Sequence, residues 1–295
     1  MLRIGLVGFG KWAKNYIRTT ESSGIARITT LLLRPDSIKW DDPETKSFTC
    51  TSDIESLHVD AAIVAIHPSQ NVEICCRLLE RKIPVLVEKP IALKIEDAVK
   101  IESTAIKANV QFMVNHQHLY SDAYQQIYSQ LKEEEIHFIN SRAGNIGPYR
   151  DFSALWDYAP HEIAMISGLN KSKIYLDYAE NTLGLDGSGH KFILSTENKK
   201  ISSTHVWNNS NPKTRLFEVN TSNKKFIYDD VMNEGKLTLN GENLILENNL
   251  PLTNSVNFFL RAIKNNKPLN ELSGFVNVNN VEMIELINQI ENYKL

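Results

Sequence analysis

Leu2-Arg3-Ile4-Gly5-Leu6-Val7-Gly8-Phe9-Gly10-Lys11-Trp12-Ala13 is the stretch that decides the fold. Leu2 to Val7 is an apolar run of strand length. Gly8 to Ala13 fits the pattern G-x-G-x-x-G/A, and Lys11 to Ser22 reads as a helix. The glycine pattern alone carries little, but between a strand and a helix it acquires a mechanism. Gly8 permits a tight turn. Gly10, without a side chain, lets the backbone approach a pyrophosphate. Ala13 is small enough for the helix to pack closely on the strand. The helix amino terminus then offers N–H groups and the positive end of its dipole to phosphates. Gly8, Phe9, Gly10, Lys11, Trp12 and Ala13 are therefore the first cofactor-binding candidates.

Outward from this turn the pattern repeats. Arg27 to Leu33, Ala61 to Ile66, Val85 to Val87 and Gln111 to Val114 read as further strands. Helical stretches at Asn71 to Arg81 and Lys94 to Ala108 lie between them. Near-continuous apolar strands separated by helices predict a parallel sheet covered on both faces, the doubly wound α/β or Rossmann pattern. After about residue 117 the pattern changes. Helices are expected at Ser121 to Leu131 and His161 to Gly168. Strands follow around Lys173 to Thr182, Lys191 to Ser195, Ile201 to Trp207, Arg215 to Asn220 and Lys224 to Tyr228. A hairpin from Lys236 to Leu246 turns at Asn240-Gly241, and helices return at Asn254 to Lys264 and Val278 to Ile290. The reading is a dinucleotide-binding domain over residues 1–117. Residues 118–295 then form an α+β domain with a mostly antiparallel sheet, for substrate binding and oligomerisation.

Composition narrows the function classes. The 295 residues are enough for two domains, and a net charge of −3 gives no bias toward nucleic acid or anionic membrane. Apolar runs such as Ala61 to Ile66 fall far short of the roughly 20 residues that span a bilayer. The start lacks the layout of a secretory signal, so a cytoplasmic protein is expected. Cys50, Cys75 and Cys76 have no C-x-x-C spacing and read as small hydrophobes.

The end of the second strand discriminates between cofactors. An acidic side chain there binds a ribose 2′-hydroxyl, whereas arginine accommodates a 2′-phosphate. Leu33-Arg34-Pro35-Asp36 places Arg34 at that end, which favours NADP over NAD. Asp36 is the residue that would take the ribose instead.

Two further segments carry chemistry. Ile83-Pro84-Val85-Leu86-Val87-Glu88-Lys89-Pro90 is a strand ending in a charged pair. Ligands of open parallel sheets bind at the carboxyl ends of strands, so Lys89 is expected to face the cleft. A cis peptide at Pro90 is one option. Trp156-Asp157-Tyr158-Ala159-Pro160-His161 sets Asp157 and His161 four residues apart, with Pro160 in the first turn of a helix. A histidine there can move a proton near neutral pH. The plainer alternative makes Asp157 a helix cap and His161 a structural histidine. His116-x-His118 lacks a third ligand, so no metal is expected.

At these residues the chain resembles the Gfo/Idh/MocA family, the glucose–fructose oxidoreductase and inositol dehydrogenase group. The matching elements are Gly8 to Ala13, Val59 to Pro68, Val87-Glu88-Lys89-Pro90-Ile91-Ala92, and Asp157 with His161. The resemblance implies that Lys89, Asp157 and His161 form the catalytic set. It implies that Glu88 supports the cofactor side, with Ile66, His67, Pro68 and Asn71 lining it. Two positions depart from the family pattern: Asn71 stands where many members carry histidine, and Arg34 where many NAD-using members carry an acid. Trp207, Pro212-Lys213-Thr214-Arg215, Tyr228-Asp229-Asp230 and Gly147 to His161 are similar to a branch of nucleotide-sugar dehydrogenases. On that resemblance Arg150, Trp156, Trp207, Lys213 and Arg215 are candidate substrate contacts.

The expected activity is hydride transfer between NADP or NAD and a secondary alcohol or ketone of a sugar, polyol or nucleotide sugar. A non-catalytic dinucleotide-binding regulator and a redox-neutral enzyme with tightly held NAD are the alternatives. A homo-oligomer, dimer or tetramer, is expected from the open face of the antiparallel sheet.

Overall fold

The computed structural model describes residues 1–131, 134–145, 152–170, 172–182, 189–197, 199–208, 213–248, 250–269 and 278–293. The chain divides into two compact units. One comprises Met1–His116 with Leu252–Val281, the other Gln117–Pro251 with Glu282–Leu295.

The first unit is built on β1 (Leu2–Val7), β2 (Ala26–Leu32), β3 (Thr49–Thr51), β4 (Ala61–Val64), β5 (Val85–Val87) and β6 (Phe112–Val114). They form one parallel sheet in the order β3-β2-β1-β4-β5-β6. Helices α1 (Ala13–Ser22), α2 (Asn71–Glu80) and α3 (Ile95–Ala108) supply crossovers. Leu6, Ile63, Leu86 and Val87 are fully buried, as strands covered on both faces require. Truncating such a side chain to Ala costs about 2–5 kcal/mol. The sequence of α3 marks its own ends: Glu96 and Asp97 lie in the first turn, Lys107 in the last, and Asn109 closes it in the left-handed region at φ 51°. The sheet order reverses direction between β1 and β4, which makes the carboxyl ends of those strands a switch point. Strand β3 is the element that sequence patterning misses. Its three residues are half-buried at best and lie on the sheet edge.

The second unit carries α4 (Asp122–Gln130), α5 (Ala154–Leu169) and an eight-stranded sheet. Its strands are β7 (Phe138–Asn145), β8 (Tyr175–Thr182), β9 (Gly189–Ser195), β10 (Lys200–Asn208), β11 (Thr214–Asn220), β12 (Lys225–Asp229), β13 (Leu237–Leu239) and β14 (Glu242–Asn243). The order is β14-β13-β12-β11-β7-β10-β9-β8, and every neighbouring pair is antiparallel except β7 with β10. The hairpin turn holds Asn240 at φ 52° and Gly241 at φ 89°, the positive values that a two-residue turn of this kind needs. Helix α5 packs against β7, β9 and β10.

Helix α5 corrects one expectation. It begins at Ala154 after Ser153, not near His161, so Pro160 lies inside the helix rather than in its first turn. Pro160 has no N–H for the Trp156 carbonyl one turn back. Burial of nearly every residue from Ala154 to Ile166 outweighs that loss. Asp157, expected at a helix entry, is within the helix and not its N-cap.

Two helices from the second half of the sequence contribute to the first unit. They are α6 (Pro251–Asn265), nearly all of it, and the start of α7 (Asn280–Glu291). The division therefore does not follow a single cut in the sequence.

Candidate active site

The Gly8–Ala13 turn joins β1 to α1 at the switch point. The Gly8 N–H donates to the Leu32 carbonyl at 3.0 Å, tying the turn to β2. Gly8 has φ +88°, and a Cβ there would lie 2.7 Å from Ile66 Cγ2 and 2.8 Å from the Ala65 carbonyl oxygen. Only glycine suits this position. A Cβ at Gly10 would meet nothing within 4 Å, so open space lies over the turn. Helix α1 begins without a side-chain cap hydrogen bond. Phe9 and Ala13 are buried, whereas Lys11 and Trp12 are exposed. An open glycine turn leading into a helix without a side-chain cap fits a dinucleotide pyrophosphate.

Glu88 follows β5 and is the hub of a network within the same unit. Its Oε1 accepts from Trp12 Nε1 at 2.7 Å, from the Tyr16 hydroxyl, and from Asn115 Nδ2 at 3.2 Å. Its Oε2 accepts from the Lys89 backbone N–H at 3.2 Å. Asn115 Nδ2 also donates to the Tyr16 oxygen at 2.6 Å, and Asn115 Oδ1 accepts from Ser255 Oγ of α6 at 2.8 Å. Burial first, then the Glu88 charge, holds the Tyr16 phenol well above its usual range, so it stays a donor. Lys89 is half-buried and its bond to Pro90 is cis. Asn71 is buried, and its amide donates to the Ile91 carbonyl at 3.0 Å and the Pro90 carbonyl at 3.4 Å. The loop that bears Lys89 is thus fixed from both sides.

Ile66 and His67 are half-buried and Pro68 is buried, in the turn that leaves β4. The His67 ring accepts from the Ser69 N–H at 3.3 Å and caps that turn. Arg34 lies two residues beyond β2. Its Nε is 4.0 Å from Asp36 Oδ1, and both side chains are largely exposed. Its carbonyl accepts from Trp40 Nε1 at 2.9 Å.

In the second unit, α5 carries Asp157, His161 and Glu162. The half-buried Asp157 and the buried His161 lie one helical turn apart. The His161 and His118 rings meet edge-to-face with centroids 4.7 Å apart. Glu162 is 2% exposed, and burial pushes its carboxyl up to about 7 against the opposing effects of Arg215 and Ser141. A small cavity beside it is lined by His118, Glu162, Arg215, Tyr228 and Asp230. Arg215 also stacks over the Tyr158 ring, 5.5 Å from its centroid.

The expected substrate contacts are not all brought together. Ser141 pairs with Phe217 and Gly144 with Trp207 in the sheet register, and residues one apart on a strand face opposite ways. Arg215 shares the face of Phe217 and Ser141, toward α5. Trp207 lies on the other face, folded over Gly144, where a Cβ would come within 2.4 Å of its indole. Trp156 is buried, and its indole nitrogen donates to both Glu291 oxygens at 3.1 Å. Lys213 is exposed at the start of β11. Arg150 lies outside the described residues.

Tyr16, Asn115, Ser255 and Glu162 were given no role by sequence, and His118 was weighed only as a metal ligand. Asn115 had a usable signal, its place directly after a parallel strand. Ser255 had none. Among the described residues, no group of three or more His, Cys, Asp or Glu is arranged to hold a metal ion. Among the same residues, no helix is long and apolar enough to cross a membrane.

With this geometry in hand, residues 2–116 match the family model for Gfo/Idh/MocA, described as an oxidoreductase family with an NAD-binding Rossmann fold. Over residues 2–116 the chain is similar to that family. The rhizopine catabolism protein MocA of Rhizobium meliloti is 24% identical over 162 residues, 54% of this chain and 48% of that protein. The chain thus spans about half the length of the curated relative it matches. Two solved structures agree over almost the whole chain. UDP-N-acetylglucosamine 3-dehydrogenase GnnA from Acidithiobacillus ferrooxidans superposes with a TM-score of 0.85 at 14% identity, covering 98% of this chain and 96% of that one. The 3-ketoreductase KijD10 from Actinomadura kijaniata, in complex with TDP-benzene and NADP, gives 0.82 at 16% identity, covering 99% and 97%. At these identities the likeness is one of fold: a Rossmann sheet joined to a second, mostly antiparallel one.

Proposed function

We propose that this Gfo/Idh/MocA-like protein moves a hydride to or from a secondary alcohol or ketone carbon of a sugar, polyol or nucleotide sugar, with Lys89, Asp157 and His161 as its catalytic set. The observation that carries this reading is the fixed Glu88–Lys89 strand end beside an open glycine turn. When bound, the nicotinamide supplies the acceptor or donor of the hydride. The rest falls to the chain. Gly8 to Ala13 and the first turn of α1 hold the pyrophosphate. Lys89 hydrogen-bonds the reacting oxygen and favours its alkoxide character. His161 takes the hydroxyl proton during oxidation and returns it during reduction. Asp157, one turn back, orients the histidine or binds a neighbouring hydroxyl. Glu88 fixes the backbone N–H of Lys89. Arg215, facing α5, is the substrate contact that the fold favours. Trp207, on the opposite face, is better suited to packing.

Two named likenesses favour a nucleotide sugar over a simple polyol: GnnA is by name a UDP-N-acetylglucosamine 3-dehydrogenase, and KijD10 is a 3-ketoreductase in complex with TDP-benzene. Arg34, largely exposed, favours NADP. The test is turnover on a panel of nucleotide sugars and polyols with each cofactor, repeated with Lys89→Ala. The variant is expected to lose roughly 10²- to 10⁴-fold in kcat while dinucleotide binding persists. Normal turnover by Lys89→Ala would remove the assignment.

A further inference from the structure

Lys89 and His116 lie two residues beyond β5 and β6, and the parallel register pairs Val87 with Val114. Extending that register by two residues sets them side by side at the carboxyl ends of neighbouring strands. The His116 ring is 5% exposed. Its Nε2 lies 2.8 Å from Asn280 Oδ1.

The tautomer follows from the partners of Asn280. Its Nδ2 donates to Glu102 Oε1 at 3.1 Å and to the Val278 carbonyl at 3.3 Å. With the amide nitrogen committed to two acceptors, Oδ1 is the atom that faces His116, and it can only accept. His116 therefore carries its hydrogen on Nε2 and its lone pair on Nδ1. That Nδ1 is buried and has no hydrogen-bond partner among the described residues. A buried acceptor left unpaired costs free energy, so a partner is to be sought in what binds there.

The ring is also kept neutral. Burial pushes the imidazole down to about 4, the nearby Lys89 charge pushes the same way, and the bond to Asn280 opposes them. The charged groups around it are Lys89 from the end of β5 and, through Asn280, Glu102 of α3. A neutral acceptor suits an N–H or O–H donor and does not add a second positive charge beside an oxidised nicotinamide.

We infer that His116 Nδ1 is a ligand-binding acceptor, taking an N–H or O–H from the molecule bound beside Lys89, with the carboxamide N–H of nicotinamide as the favoured donor. The inference rests on the proposed function. The carboxamide is attached next to the ring carbon that exchanges hydride, so it comes within a few ångströms of the group that holds the reacting oxygen. A substrate hydroxyl shares the donor chemistry and is the second source.

Two variants separate the two nitrogens. His116→Gln keeps a group at the Nε2 position for Asn280 and removes the Nδ1 acceptor. His116→Asn places an amide oxygen at the Nδ1 position and gives up the Asn280 contact. NADH and NADPH affinity, read by fluorescence titration on protein of verified Tm, is expected to fall about tenfold in His116→Gln. In His116→Asn it should stay within about twofold of the unaltered protein, at a lower Tm. An analogue bearing acetyl in place of carboxamide should bind the unaltered protein more weakly than the parent cofactor and make no such difference to His116→Gln. If dinucleotide affinity holds but the substrate KM rises about tenfold in His116→Gln, the donor is the substrate hydroxyl and the acceptor role stands. A folded His116→Gln with both quantities unchanged overturns the inference. So does a ¹⁵N spectrum showing the hydrogen on Nδ1 at neutral pH. Failure of the unaltered protein to bind either dinucleotide overturns the proposed function itself, and the inference with it. The His116→Gln result touches the inference alone.

Discussion

Glu88 and Glu162 each precede or follow a candidate catalytic residue by one position, and the two units treat them in opposite ways. Glu88 is met by donors at both oxygens: Trp12, Tyr16 and Asn115 at one, the Lys89 N–H at the other. Glu162 is more deeply buried, yet its Oε2 has no hydrogen-bond partner among the described residues, and its carboxyl is pushed up to about 7. The difference lies in the supply of donors. The parallel sheet delivers strand ends and a helix start to one point, so three side chains, two from the start of α1 and one from the end of β6, converge on Glu88. Helix α5 presents Glu162 to the face of an antiparallel sheet, where Ser141 is already shared with Thr204 and Arg215 stacks on Tyr158. One carboxylate anchors a neighbour, and the other is poised to take up a proton near neutrality.

This contrast breaks most sharply at Asn115. Asn115→Leu deprives Glu88 and Tyr16 of a donor and Ser255 of one of its two acceptors. It should destabilise the protein by about 2–4 kcal/mol, read as a lower urea midpoint at unchanged slope. A loss under about 0.5 kcal/mol would mean that the network is ornamental.

Glu162→Gln sharpens the other side. The folded carboxyl, at about 7, lies above its usual 4.5. Between those values the folded state binds more protons than the unfolded chain, so this group makes stability fall as pH rises. His116, held at about 4 against a usual 6.5, contributes the opposite slope over most of that window. The difference between variant and unaltered protein isolates Glu162. The pH 5-to-8 change in unfolding free energy should shift by about 1–3 kcal/mol toward greater relative stability at high pH. Parallel profiles for the two proteins would rule out a titrating Glu162.

The two glycines beside the Glu88 network give the smallest effects on folding. Gly8→Ala should cost about 1–3 kcal/mol, because its Cβ would clash and its φ is positive. Gly10→Ala should leave stability within about 0.5 kcal/mol and weaken dinucleotide binding, since the space there is open. Equal thermal shifts in the two variants would contradict that division of roles.

How legible this was from sequence differs between the two units. The parallel sheet was readable because its strands are apolar on both faces and its turns carry glycine or a charged pair. Strand β7 was not, although it lies between β10 and β11. Its run Phe138-Ile139-Asn140-Ser141-Arg142-Ala143-Gly144-Asn145 has few large apolar residues. Ser141 is there to pair with Thr204, and Gly144 to make room for Trp207. The start of α5 was hidden by Pro160, which local propensity takes for a first turn. Lys89, Glu88 and the glycine turn were legible as motifs. The groups that fix them were not, because Tyr16 and Asn115 are 99 residues apart and Asn115 and Ser255 are 140 apart. No local period connects such positions.

The central claim is that Lys89 and His161 act on one substrate oxygen. A double-mutant cycle on kcat/KM, with Lys89→Met, His161→Asn and the combination, tests it most directly. Groups that act on the same proton and oxygen lose activity non-additively, so the double variant should be within about tenfold of the worse single variant. Losses that multiply through to the full product would show two residues working independently and would contradict the account.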